Sequence, residues 1–139
     1  MPKSAYFSGD SFRPRSDLIP VVWIATSRAD LKELSEPVQA VLGRALHAVQ
    51  LGQFPAIAKP LRGGFSGLVE LRANDGAGTY RLVYTAKYAG ALFVLHVFQK
   101  KSHRGGEMSR RDIALLRVRQ RQARSIHQLA DPTTTEDER

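Results

Sequence analysis

Apolar positions along the chain change their spacing twice, and those changes divide it into elements. Residues 21–24 (Val, Val, Trp, Ile) are a β-branched and aromatic run that predicts a first strand. Ser27 then stands as a candidate N-cap before Arg28, Ala29, Asp30 and Leu31, with an acid early in the turn. A second helical stretch restarts at Glu36-Pro37, where Ser35 can cap and the missing proline N–H costs least. From there Val38, Val41, Leu42, Ala45, Leu46 and Val49 fall at spacings of three and four. That is one face of an amphipathic helix ending near Gly52, so residues 27–52 read as a helical hairpin.

Past Gly63, Gly64 and Gly67 the period becomes that of strands. Residues 68–72 extend, and Asn74, Asp75, Gly76, Ala77 and Gly78 form a turn cluster. Residues 80–85 and 91–98 are rich in Tyr, Val, Leu and Phe, separated by Ala89-Gly90, which predicts an antiparallel meander of three strands. A basic loop follows at residues 102–106. Ser109, with Asp112 three residues on, caps a final helix reaching Gln128. Residues 1–20, with prolines at 2, 14 and 20, read as a flexible arm, and residues 129–139 as a frayed tail. The fold class is therefore α+β: one domain over residues 21–128, in which an antiparallel sheet carries its helices on one face.

Composition narrows the chemistry. A chain of 139 residues builds one core, not two. The absence of cysteine excludes disulfides, thiolate zinc sites and a cysteine nucleophile, and fits a reducing cytoplasm. No apolar run approaches the ~20 residues of a membrane span or resembles a signal peptide, so a soluble cytoplasmic protein is expected. Net charge is +8, and the excess is one-sided: residues 71–128 hold twelve Lys/Arg against three acids. Such a half attracts polyanions by counterion release, although a solvated basic surface has the same composition.

No phosphate-binding glycine loop, zinc-protease helix or serine elbow is present, and the four histidines have no paired spacing, so no metal and no cofactor are expected. The chemistry falls to Arg, Lys, Tyr, His and a carboxylate. Alternation places Tyr80, Leu82 and Tyr84 on one face of their strand, with Arg81 and Val83 on the other. Glu70 and Arg72 share a face of the preceding strand, so Glu70 can reach Arg81; a plain cross-strand ion pair explains that equally well. His96 alternates with Val94 and Phe98, which fits either a satisfied core histidine or a proton-transfer group. Lys100 and Lys101, with Arg104 behind them, make a basic patch at the strand end. The last helix carries Arg110, Arg111, Arg117, Arg119, Arg121 and Arg124 around an approximate apolar stripe of Ile113, Leu116, Ala123 and Ile126.

Four segments together resemble the phage-derived HigB toxins, a branch of the RelE/ParE toxin superfamily of type II toxin–antitoxin systems. They are Trp23-Ile24 with residues 27–31, Ala58-Lys59-Pro60-Leu61-Arg62-Gly63, Gly78-Thr79-Tyr80-Arg81-Leu82-Val83-Tyr84, and residues 96–102. The resemblance implies a RelE-like fold and a metal-independent endoribonuclease that cuts mRNA on the ribosome by attack of the 2′-hydroxyl on the adjacent phosphate. It implies that Arg81 stabilises the phosphate charge, with Lys100 and Lys101 assisting or donating a proton, and makes Glu70 and His96 candidates for base and acid. Lys59, Arg62, Arg72 and Arg104 then position RNA. The implied partner is a HigA-like helix-turn-helix antitoxin in a hetero-oligomeric complex. Two other readings stand beside it: a ParE-like toxin acting on gyrase, and a non-catalytic basic module that binds RNA or the ribosome.

Overall fold

The computed structural model describes residues 18–88, 90–100 and 108–130. In chain order these form β1 (Val21–Trp23), α1 (Ser27–Lys32), α2 (Glu36–Gln50), β2 (Ala58–Pro60), β3 (Leu68–Asp75), β4 (Gly78–Thr85), β5 (Leu92–Gln99) and α3 (Arg110–Ala130). The strands make one sheet in the order β1-β5-β4-β3-β2. The meander is present, but the sheet is not purely antiparallel. β1 lies parallel to β5, with Val22 opposite Phe93, while β2 adds antiparallel to β3, with Lys59 opposite Glu70. A crossover through α1, α2 and the meander is what allows that parallel contact.

Helices cover both faces, a second departure from the expected packing. Leu42, Leu46 and Val49 of α2 bury against Leu71, Leu82, Tyr84 and Val94. On the opposite face Leu116 and Ala123 of α3 pack on Val83, Phe93 and Leu95. The reason lies in β5, whose run Leu-Phe-Val-Leu-His-Val is buried without interruption, so neither face tolerates water. Each of these large side chains contributes about 1.5–3 kcal/mol by leaving water.

Local chemistry sets the element ends. The two-residue β3–β4 turn is held by Asp75, whose Oδ1 accepts from Ala77 N at 2.8 Å and Gly78 N at 3.1 Å. The Ala77 bond, helped by the Ser35 hydroxyl, keeps the Asp75 carboxyl below its usual pKa. Ser35 thus occupies the cap position of α2 but spends its hydroxyl on Asp75 rather than on a helix N–H. Ser27, the expected cap of α1, lies inside the first turn instead, buried, with its hydroxyl donating to Val94 O. Ser109 does cap α3: its Oγ accepts from Asp112 N at 3.1 Å. The chain is already docked at Ile19, whose N–H donates to Gln50 O and whose carbonyl accepts from Gln50 Nε2.

One irregularity matters for the site. Val83 pairs with His96 and Tyr84 with Val94, so Leu95 is an extra residue on β5. The bulge reverses the alternation. His96 and Phe98 share the α3 face with Phe93, whereas Val94 and Val97 face α2. The expectation that His96 shares a face with Val94 is corrected by this one residue.

Candidate active site

β2, β3, β4 and the start of α3 enclose an open cleft of about 730 Å³. Its floor is the α3-facing side of the sheet, where strand alternation turns Glu70, Arg72 and Arg81 the same way. Lys59 and Arg62 enter from β2 and the loop behind it, with Phe65; Arg110 enters from the first turn of α3. Five cations therefore surround one carboxylate. The structure brings together five of the residues singled out from the sequence: Lys59, Arg62, Glu70, Arg72 and Arg81.

The register explains how the cations are held. Arg72 stands directly opposite Arg81, an arrangement of like charges that is unfavourable alone. Glu70 bridges them: its Oε2 lies 3.1 Å from Arg81 Nε, and its Oε1 accepts from Arg72 Nη2 at 3.3 Å. The Arg81 side chain is only 3% exposed and Glu70 7%, against 38% for Arg72. The sheet thus presents one fixed guanidinium and one movable one. Burial lowers the Arg81 pKa below the usual arginine value and Arg72 pushes it further down, while Glu70 opposes both. A guanidinium still stays protonated at neutral pH. This is an ion pair built into the wall of a cleft, not the exposed surface pair whose contribution would be negligible.

His96 does not line this cleft. It belongs to a neighbouring pocket of about 590 Å³ between β5, α1 and α3, with Thr26, Asp30, Asp112 and Arg119. His96 Nε2 lies 2.8 Å from Asp112 Oδ1, and Arg119 Nη1 lies 3.3 Å from His96 Nδ1. Because an arginine only donates, this network assigns the proton of a neutral ring to Nε2. Burial lowers the His96 pKa, with Asp112 opposing the shift and Arg119 adding to it. The Phe98 ring stacks on the imidazole with centroids 4.3 Å apart. Lys100 continues the β4–β5 ladder, donating its backbone N–H to Thr79 O, and lines neither pocket. Lys101 and Arg104 lie outside the described residues.

Arg119 and Arg110 carry roles that sequence spacing did not separate. Arg119 is buried at 8%, donating to Leu95 O at 3.1 Å and Thr26 Oγ1 at 3.2 Å as well as facing His96. Its alignment with Leu116 and Ala123 at spacings of three and four was the available signal. Ile126, expected in the apolar stripe, is 42% exposed instead, and His127 takes the buried position beside it. Among the described residues no group of three or more His, Cys, Asp or Glu converges as a metal site, and no helix is long and apolar enough to cross a membrane.

Comparison with known proteins sets this geometry among relatives. No curated protein matches the chain. Several solved structures resemble it. One is a chain of the RelBE2 toxin–antitoxin complex from Mycobacterium tuberculosis, 25% identical, covering 59% of this chain and 98% of its own, with a TM-score of 0.44. Another is a mutant of the E. coli toxin RelE in the free state, 17% identical, covering 60% of this chain and 85% of its own, with a TM-score of 0.47. A family model described as phage-derived protein Gp49-like (DUF891) matches residues 29–121, which includes α2, the whole sheet beyond β1 and the cleft-bearing half of α3. With well over half of its length matched by that model, the chain belongs to the Gp49-like family of phage-derived proteins.

Proposed function

We propose that this protein is the toxin of a type II toxin–antitoxin pair, a cytoplasmic endoribonuclease of the HigB kind that cuts mRNA on the ribosome. The observation that carries the reading is the cleft itself, where Arg81 is fixed at the floor and four further cations surround it with one carboxylate. A phosphodiester in that position meets donors already oriented, which is what a charge-building transition state requires.

In the proposed reaction the ribose 2′-oxygen attacks the adjacent phosphorus as its proton passes to a base. The bond from phosphorus to the 5′-oxygen then breaks, and that oxygen takes up a proton. A 2′,3′-cyclic phosphate and a 5′-hydroxyl are left. Arg81 and Arg72 face the negative charge of the phosphorane. Glu70, the carboxylate within the cleft, takes the role of base. Lys100, at the end of β5 and outside the cleft lining, is assigned with Lys101 to supply charge and the proton for the leaving oxygen once a strand is bound. His96, with both nitrogens engaged away from the cleft, holds β5 and α3 in place in this scheme. Lys59, Arg62 and Arg104 position the strand without reading its bases. A HigA-like antitoxin silences the protein by covering the cleft or by keeping it from the ribosome.

The test is induction of the wild-type gene beside an Arg81→Ala, Lys100→Ala double variant, with mRNA ends mapped in both. Growth arrest with new in-frame cuts, lost in the variant, is the expected result. Arrest without cuts, unchanged in the variant, overturns the ribonuclease and points to a protein target such as gyrase. Purified protein that binds RNA but yields no cyclic-phosphate ends points to a non-catalytic binder.

A further inference from the structure

α3 carries more positive charge than the proposed chemistry uses, and that charge is arranged. Arg110, Arg117, Arg121 and Arg124 are all exposed. Their offsets of 7, 11 and 14 residues place them within about 60° of arc on a helix of 3.6 residues per turn, over ~21 Å of axis. Neither Arg117 nor Arg121 has a carboxylate three or four residues away in sequence. The one acid on α3, Asp112, is engaged with His96 and Ser109. Arg117–Arg121 and Arg121–Arg124 are therefore like-charge neighbours that disfavour the helix on their own.

The stripe begins inside the cleft. Arg110 lines it with Phe65, and the Arg117 guanidinium lies 4.7 Å over the centroid of that same Phe65 ring. Gln128 shares that arc with the arginines, and Ala114 and the partly buried Ile113 flank it on either side. The exposed large apolar residues of α3, Val118, Ile126 and Leu129, fall on another flank, where Val118 and Ile126 line a groove with Trp23 that Arg121 borders. A protein interface centres on apolar and aromatic anchors with charges at its rim. A row of cations whose own arc carries no exposed large apolar side chain, continuous with the cleft, suits a nucleic-acid backbone.

We propose that single-stranded RNA leaving the cleft runs along α3, with successive phosphates on Arg117, Arg121 and Arg124. The inference rests on the ribonuclease reading for the identity of the strand in the cleft. Arg117 and Arg121 contact backbone only, so the track is indifferent to sequence.

The test uses the full-length protein and 2′-O-methyl RNA, which lacks the attacking hydroxyl and stays intact. Labelled strands of about 3 and about 15 nucleotides are titrated at several salt concentrations, since each phosphate contact contributes roughly 0.7 to the salt slope of a single strand. Arg117→Gln with Arg121→Gln is expected to weaken the longer strand roughly tenfold near ~0.1 M salt and to lower its slope by about 1.4. The short strand, confined to the cleft, is expected to bind as before. Arg117→Lys with Arg121→Lys restores binding of the longer strand if phosphate is what the stripe holds. Unchanged binding of the longer strand overturns the proposal, as does a Lys pair no better than the Gln pair. Loss of antitoxin capture with RNA binding intact also overturns it, making the stripe a surface for an acidic protein. The two readings separate cleanly: wild-type protein that never cuts mRNA refutes the ribonuclease while the slopes stand, and normal cutting with unchanged slopes refutes only the track.

Discussion

Arg72 and Arg81 face each other across β3 and β4, and the carboxylate of Glu70 holds both, one oxygen to each. The buried guanidinium is thereby locked in a single orientation while its neighbour remains accessible. An anion entering the cleft can replace Glu70 on Arg72 without disturbing Arg81.

Removing the bridge exposes its role. Glu70→Gln leaves two opposed guanidinium groups without their shared counter-charge, one of them almost fully buried. The expected loss is on the order of 3 kcal/mol, measured as a lower urea midpoint. Inorganic phosphate is expected to recover part of that loss, because an anion in the cleft takes the place of the carboxylate. A midpoint indifferent to phosphate would show that the cleft holds no anion.

Arg81→Lys tests whether a point charge suffices. The planar guanidinium sets its Nε beside Glu70 and presents a rigid fork of donors, which an ammonium cannot reproduce. Cleavage is expected to fall by about 10²–10³-fold, the range seen when one transition-state donor is removed. Circular dichroism and the urea midpoint check that the variant is folded, so that the loss is read as chemistry.

Arg119 ties three elements together, and its truncation is expected to be felt in stability rather than in RNA binding. Arg119→Ala leaves Leu95 O and His96 Nδ1 without their donor in a buried position, and also frees the more exposed Thr26 Oγ1. The cost is about 2–3 kcal/mol. Substitution of the exposed Ile126 by Ser, on the same helix, is expected to shift the midpoint negligibly.

His96 makes stability depend on pH in a stated direction. Burial lowers its pKa from 6.5 in the folded protein, so the unfolded chain takes up the proton first as pH falls. The stabilisation is complete above pH 6.5 and declines below it, until the folded imidazole is protonated as well. Protonation also removes the Nδ1 acceptor that faces Arg119. Urea midpoints compared between about pH 7.5 and about pH 5.5 are expected to fall more for the wild type than for His96→Gln. Equal falls would assign the pH dependence to other groups.

Much of the cleft was legible in the chain, for a local reason. Period-two alternation alone separates Arg81 from Tyr80, Leu82 and Tyr84, and it puts Glu70 and Arg72 on one face. The turn residues at 74–78 fix the hairpin, and hairpin pairing then carries Glu70 next to Arg81. The three-and-four spacing of α2 marks the side it buries.

Other features had no local signal. The parallel pairing of Val22 with Phe93 joins positions about seventy residues apart in sequence, and no neighbour along the chain encodes it. The bulge at Leu95 is a property of two strands together, so the face of His96 cannot be read from β5 alone. Ser27 looks like a cap until Val94 O claims its hydroxyl. Arg119 looks like one solvated arginine among six until the sheet supplies a carbonyl, a histidine and a threonine around it. Periodicity reports which residues share a face of their own element. What lies against that face, and so whether a charge is solvated, buried in a pair or aimed into a cleft, is decided only when distant segments pack.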